Sequence, residues 1–190
     1  MGKIRSALEI ALEKTKDITF DKEEFEKKEE EEKIRRQIGS YMSADTADDE
    51  KLEELSSMDR ESVRKYSKAY ILTSLSLPSM EVADDRYERL IKLASISFSK
   101  EAVEFISKIT AFLKQYPVHK KDLVEKLEGQ LEGMLREKED EIREKTGRSI
   151  HLSIEDDKES LEIIKKNLET LDKQYNSTLE NAKKELEGLL

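Results

Sequence analysis

Apolar residues recur at steps of three and four through most of this chain, and the longest such run is the last. Leu161, Ile164, Leu168, Leu171, Tyr175, Leu179, Ala182, Leu186 and Leu189 form one narrow stripe, which predicts a single helix over about 154–190. After Tyr175 the stripe takes one extra four-residue step, a discontinuity that locally unwinds a supercoil. So narrow a seam needs a second helix. Leu123, Leu127, Leu131, Met134 and Ile142 offer one over 120–145, with the reversal at Thr146-Gly147-Arg148-Ser149, because glycine accepts the left-handed conformation that closes a helix. Ile150, Leu152 and Ile154 alternate like a short strand, but no second good strand exists to pair with it, so an extended linker over the hairpin end is expected. Asp156 or Asp157 would cap a slightly later start of the last helix.

At about 1.5 Å per residue, 154–190 would reach roughly 54 Å while 120–145 would cover only about 38 Å of it. The turns around Leu186, Leu189 and Leu190 then require cover from a central bundle or from a second copy of the chain. That bundle is expected over 58–118. Asp59 caps a helix carrying Val63, Tyr66, Tyr70 and Ile71, and Pro78 ends it. Val82, Ala83, Tyr87, Leu90, Ile91 and Ala94 mark the next. Ser99 caps the most hydrophobic helix, from Ala102 through Ile106, Ile109, Phe112 and Leu113 to Tyr116, closed by Pro117. Short connections make such neighbours antiparallel.

Upstream the pattern is thinner. Ile4, Ala7, Leu8, Ala11 and Leu12 share one face of an amphipathic docking helix over 1–16, too short to fold alone. Residues 17–57 read as a charged, partly flexible helical connector, with an acidic block over 21–32, a helical stripe at Ile34, Ile38, Tyr41 and Met42, and a short helix anchored by Leu52 and Leu55. Residues 119–190 form the hairpin. The fold class is therefore all-α: an elongated helical bundle with a long antiparallel coiled-coil-like C-terminal hairpin.

Composition sharpens this picture. Charged residues are 42 % of the 190, aromatics 6 %, and there are only six glycines and two prolines, which favours long helices with a thin core over a compact enzyme domain. A net charge of −9 argues against broad attraction to nucleic acid or anionic membranes. With no cysteine, disulfide and thiolate-zinc chemistry are excluded. No apolar run approaches a membrane span and no signal region follows the basic start, so a cytoplasmic location is expected.

Candidate chemistry is sparse. His119 and His151 lie in no ligand spacing, and no Glu-x-x-His occurs. Asp48-Asp49, Asp84-Asp85 and Asp156-Asp157 are adjacent on helices, so their carboxylates diverge and suit caps or solvated faces better than an acid pair across a substrate. No phosphate-cradling loop occurs; Gly129 and Gly133, in a charged helix, at most allow another helix close. Neither enzyme activity, cofactor nor metal is expected. The reading is a helical scaffold or adaptor that binds another protein or a second copy of itself. Its candidate faces are Ile4, Leu8, Ala11 and Leu12 at one end and Leu179, Leu186 and Leu189 at the other. The alternative is a ligand-binding or regulatory domain with a small pocket lined by Tyr66, Tyr70 and Tyr87.

Overall fold

The structure, a computed structural model, describes residues 22–43, 49–79 and 84–190. Among these are six helices: α1 Lys22–Ser43, α2 Asp49–Ser56, α3 Arg60–Ser74, α4 Asp84–Ser97, α5 Lys100–Thr146 and α6 Lys158–Leu189. The described part is all-helical, without a strand. Its helix ends are written locally. Asp59 accepts the Ser62 N–H at 2.8 Å, Ser99 accepts that of Ala102 at 3.3 Å, and Asp157 accepts that of Ser160 at 2.9 Å, each a side chain satisfying an orphan donor of the first turn. Gly147, at φ 67°, closes α5 in the left-handed region and donates its N–H to the Arg143 carbonyl.

Helices α1 to α4 pack on one another, and α4 docks on the first half of α5. Ile34, Ile38, Leu55, Ile71, Leu93, Ile106 and Leu113 share one core. The span 17–57, expected as a connector, thus contributes core residues from Ile34 to Met42 and at Leu55. Ser97 donates to Ser67 at 3.2 Å inside this core, tying α4 to α3 with one satisfied polar contact. The last turns of α6 return to the same core: Leu179, Leu186 and Leu190 are buried in it, and Arg64 and Lys68 of α3 donate to the Leu190 and Glu187 carbonyls at 2.9 and 3.0 Å. Those cations meet the negative end of α6, where carbonyls have no partner within the helix.

The hairpin departs from expectation first in the extent of its helices and then in its register. Pro117 does not end a helix; α5 runs through it. An interior proline removes one ladder hydrogen bond and crowds the preceding turn. Here Phe112, Tyr116 and His119 on either side of it are all held by residues of α6, and those contacts carry the helix across. The mismatch of arms also reverses, because α5 with 47 residues spans about 70 Å and α6 with 32 about 48 Å.

The second change is in register. Leu161, expected in the seam, is 46 % exposed, and Ser160 takes its place at 3 %. The seam of α6 runs through Ser160, Ile164, Leu168, Leu171, Tyr175, Leu179, Ala182, Leu186 and Leu190, stepping four, four and three in turn, with Ile163, Asp172, Lys183 and Leu189 partly covered at its flanks. On α5 the steps from Ala102 through Ile106, Ile109, Leu113 and Tyr116 alternate four and three; from Tyr116 they change to four, four and three through Lys120, Val124, Leu127, Leu131, Leu135, Lys138 and Ile142. The chain thus passes from a seven-residue to an eleven-residue repeat beside Pro117. With an eleven-residue repeat, a four-residue step carries the seam to Ser160 and leaves Leu161 one position outside it.

Candidate interaction surface

Beyond Tyr116 and Tyr175 the two long helices are buried chiefly against each other. Cross-pairs run in opposite directions along them: Phe112 and Tyr116 meet Tyr175, while Lys138 meets Asp157 and Glu159. The hairpin is therefore antiparallel, and it is fastened at both ends.

At the waist, where α5 leaves the bundle, Tyr116 donates to Asp172 Oδ1 at 2.6 Å. Tyr175 stacks on Phe112 with ring centroids 4.6 Å apart, lies edge-on to Tyr116 at 5.1 Å, and its hydroxyl is hydrogen-bonded to His119 Nδ1. Burial, with the Asp172 carboxylate beside it, pushes the Tyr116 hydroxyl up to about 12, and burial also raises Tyr175. Both phenols stay neutral near pH 7 and act as oriented hydrogen-bonding groups. The aromatic content of this junction was present in the sequence as Phe112, Tyr116 and Tyr175. What hid it was Pro117, which suggested that His119 lay outside the helix.

At the tip, the linker after Gly147 folds back on α5. Glu139 accepts the Leu152 N–H at 2.6 Å and meets His151 Nδ1 at 3.0 Å; the amide first, and then the imidazole, hold its carboxyl below the usual carboxylate range. Lys138 donates to Glu159 at 2.9 Å and lies 3.7 Å from the capping Asp157, contacts that raise its ammonium above the usual lysine range.

The sequence-predicted site residues fare differently. Ile4, Leu8, Ala11 and Leu12 lie outside the described residues. Leu179 and Leu186 are 1 % and 0 % exposed, and Leu189 is half-buried beside them: the chain's own bundle covers this end of α6, so it presents no free apolar face. Tyr66 donates to Glu31 at 2.5 Å, Tyr70 is half-buried against the core, and Tyr87 is buried with Lys114 Nζ 5.8 Å from its ring centre. They are bundle residues that line none of three surface clefts: one of about 410 Å³ at the waist over Pro78, Tyr116, Pro117 and Val124, one of about 580 Å³ at the tip beside Glu139 and His151, and one of about 330 Å³ along α1.

The two histidines sit at opposite ends of the hairpin. Asp85 binds Arg89 at 2.8 Å, Asp49 binds Lys92 at 2.7 Å and Asp157 caps α6, so these members of the acidic pairs have structural partners. Among the described residues no three acidic or histidine side chains are placed to share a metal ion, and no described helix is long and apolar enough to cross a membrane.

Residues 49–188 match a family of unknown function (DUF6657). The chain belongs to that family. The DUF6657 match takes in α2 through α5 and all but the final residue of α6, and so includes both the waist and the tip; it leaves α1 outside. No curated protein and no solved structure matches the chain.

Proposed function

We propose that this member of DUF6657 is a non-enzymatic, cytoplasmic scaffold or adaptor whose working part is the hairpin. The observation that carries the reading is the double fastening: a tyrosine, histidine and aspartate junction where the arms leave the bundle, and a carboxylate and lysine clasp where they reverse. A rod held at both ends keeps a fixed length, about 45 Å from Pro117 to Thr146, and can set the distance between whatever binds its two ends. The eleven-residue repeat supports coiled-coil-like packing with a slight right-handed supercoil, because its period of about 3.67 residues per turn lies just above that of a straight helix.

The chain's lack of cysteine makes a direct test possible. Spin labels at Glu53→Cys on α2 and Glu144→Cys near the tip, both exposed positions, should give one narrow distance distribution by pulsed EPR. A broad distribution would remove the spacer mechanism.

A further inference from the structure

The two sides of the hairpin differ sharply in charge. Each helix has a row of residues one position before its seam residues and another row one position after them. In an antiparallel pair, the preceding rows of both helices lie on the same side. On α6 the preceding row runs through Ile163, Asn167, Thr170, Gln174, Thr178 and Asn181, uncharged over the five turns between Glu159 and Glu185. The following row carries Lys165, Glu169, Asp172, Glu180 and Lys183. On α5 the preceding row includes Leu123, Gln130 and Met134, the last 44 % exposed, with Lys126 the one lysine, arginine or acid between Gln115 and Met134. The other side has Lys121, Glu125, Glu128, Glu132, Arg136 and Glu139. In a chain that is 42 % charged, a side almost free of charge is the composition of an interface centre, where acids and lysine are depleted and methionine is enriched.

The polar groups of this side are also cheap to bury. Asn167 Nδ2 donates to the Ile163 carbonyl at 2.8 Å, Thr170 to Lys166 at 2.8 Å and Thr178 to Gln174 at 3.0 Å. Both threonine hydroxyls and one of the two Asn167 amide hydrogens are satisfied within the helix, so only the remaining amide hydrogens of this side need a partner when it is covered.

We propose that this low-charge side is where a second copy of the chain docks, hairpin to hairpin about a two-fold axis. The inference rests on the scaffold reading and names its partner. A two-fold interface sets one patch against itself, so its groups must be complementary to themselves. Amides meet that condition, having both donor and acceptor, as do methyl groups; carboxylates and ammonium groups do not. With a net charge of −9 on each copy, approach on an acidic side is repulsive, and this side avoids it. From Ile163 to Asn181 the strip is about 27 Å long and, across two helices each about 10 Å wide, offers on the order of 500 Å² per copy. A pair would bury about 1,000 Å², enough for a weak specific dimer.

Sedimentation equilibrium of the full chain, from micromolar to near-millimolar concentration, should show a monomer–dimer equilibrium that tightens as salt screens the net charge. Asn167→Glu with Gln174→Glu should weaken the dimer by on the order of tenfold or more, through like-charge repulsion across the axis. The same chain with Asn167→Lys and Gln174→Lys should restore association when mixed with the acidic variant. Lys165→Glu, on the opposite side, should leave the dimer intact. A monomer at every concentration overturns the proposal, as does a dimer indifferent to the double substitution. So does loss of a different protein's binding in that variant while the chain stays monomeric. In these cases a narrow EPR distribution would leave the spacer reading standing.

Discussion

The bundle and the distal hairpin are built from the same kind of amphipathic helix yet bury it to different depths. Ile106, Leu113 and Leu186 are fully covered, because each lies where helices meet from more than one direction. On the distal hairpin Leu127, Leu131 and Leu135 of α5 are buried as well, but Ile164, Leu168 and Leu171 of α6, faced by α5 alone among the described helices, are only partly covered. Two helices can cover a stripe along one line only; a third or fourth is needed to close the flanks. The hairpin therefore depends on its end fastenings, and it keeps open sides that the bundle lacks.

Breaking the two regions separately should expose this difference. Leu186→Ala empties a site with no exposure and should cost about 2–5 kcal/mol, lowering hydrogen-exchange protection throughout the bundle. Leu131→Ala removes a side chain that is also buried, at 2 % exposure, but between two helices only. Its loss should appear as faster exchange of amides on the distal arms, with bundle amides little changed. Equal loss of protection everywhere in the Leu131→Ala protein would mean that bundle and hairpin unfold as one unit, and the comparison would fail.

The waist joins the two regions, and its removal should give a smaller effect felt on both. Tyr116→Phe deletes the hydrogen bond to Asp172 and leaves that half-buried carboxylate without its donor, at a cost of about 1.5–3 kcal/mol. The tyrosine also fixes a pH dependence. Folding raises its pKa from the usual 10 to about 12, so its contribution is complete below pH 10. As pH rises from 10 to about 12 the unfolded chain ionises first and that part of the stability is lost. Chemical denaturation of the native chain between pH 9 and 12 should show this decline on top of any general alkaline loss. In Tyr116→Phe the difference from native should shrink across the same window.

How much of this was legible beforehand depended on how local each signal was. Asp59, Ser99, Asp157 and Gly147 all act on backbone within a few residues of themselves, and each is legible from its neighbours, Asp157 only as one of the pair Asp156-Asp157. Pro117 misled for the same reason: its effect on the preceding turn is local, while the contacts that hold the helix across it come from Asp172 and Tyr175, more than fifty residues away. Leu161 misleads because its spacing to Ile164, Leu168, Leu171 and Tyr175 alternates three and four, whereas the covered surface shows the longer four, four, three pattern that passes through Ser160. Tyr66 gave no sign of its bond to Glu31, since its partner lies in an acidic block that reads as solvated. The uncharged side of the hairpin was visible as letters throughout, but grouping those letters requires knowing which positions the seam occupies.

The smallest expected effect concerns the hairpin's own helix propensity. Gly129 and Gly133 sit inside α5, and a Cβ built on either would meet nothing within 4 Å among the described residues, so no described helix uses the space they leave. Neither needs a left-handed backbone, and glycine within a helix costs about 0.5–1 kcal/mol relative to alanine. Gly129→Ala and Gly133→Ala should each slow exchange of distal α5 amides by about that amount, with the bundle unaffected. Both positions lie on the back of α5, off the low-charge side, so the double substitution should leave self-association unchanged. If it instead weakened the dimer, the copies would be meeting back to back through the glycines, and the amide-lined side would lose its role.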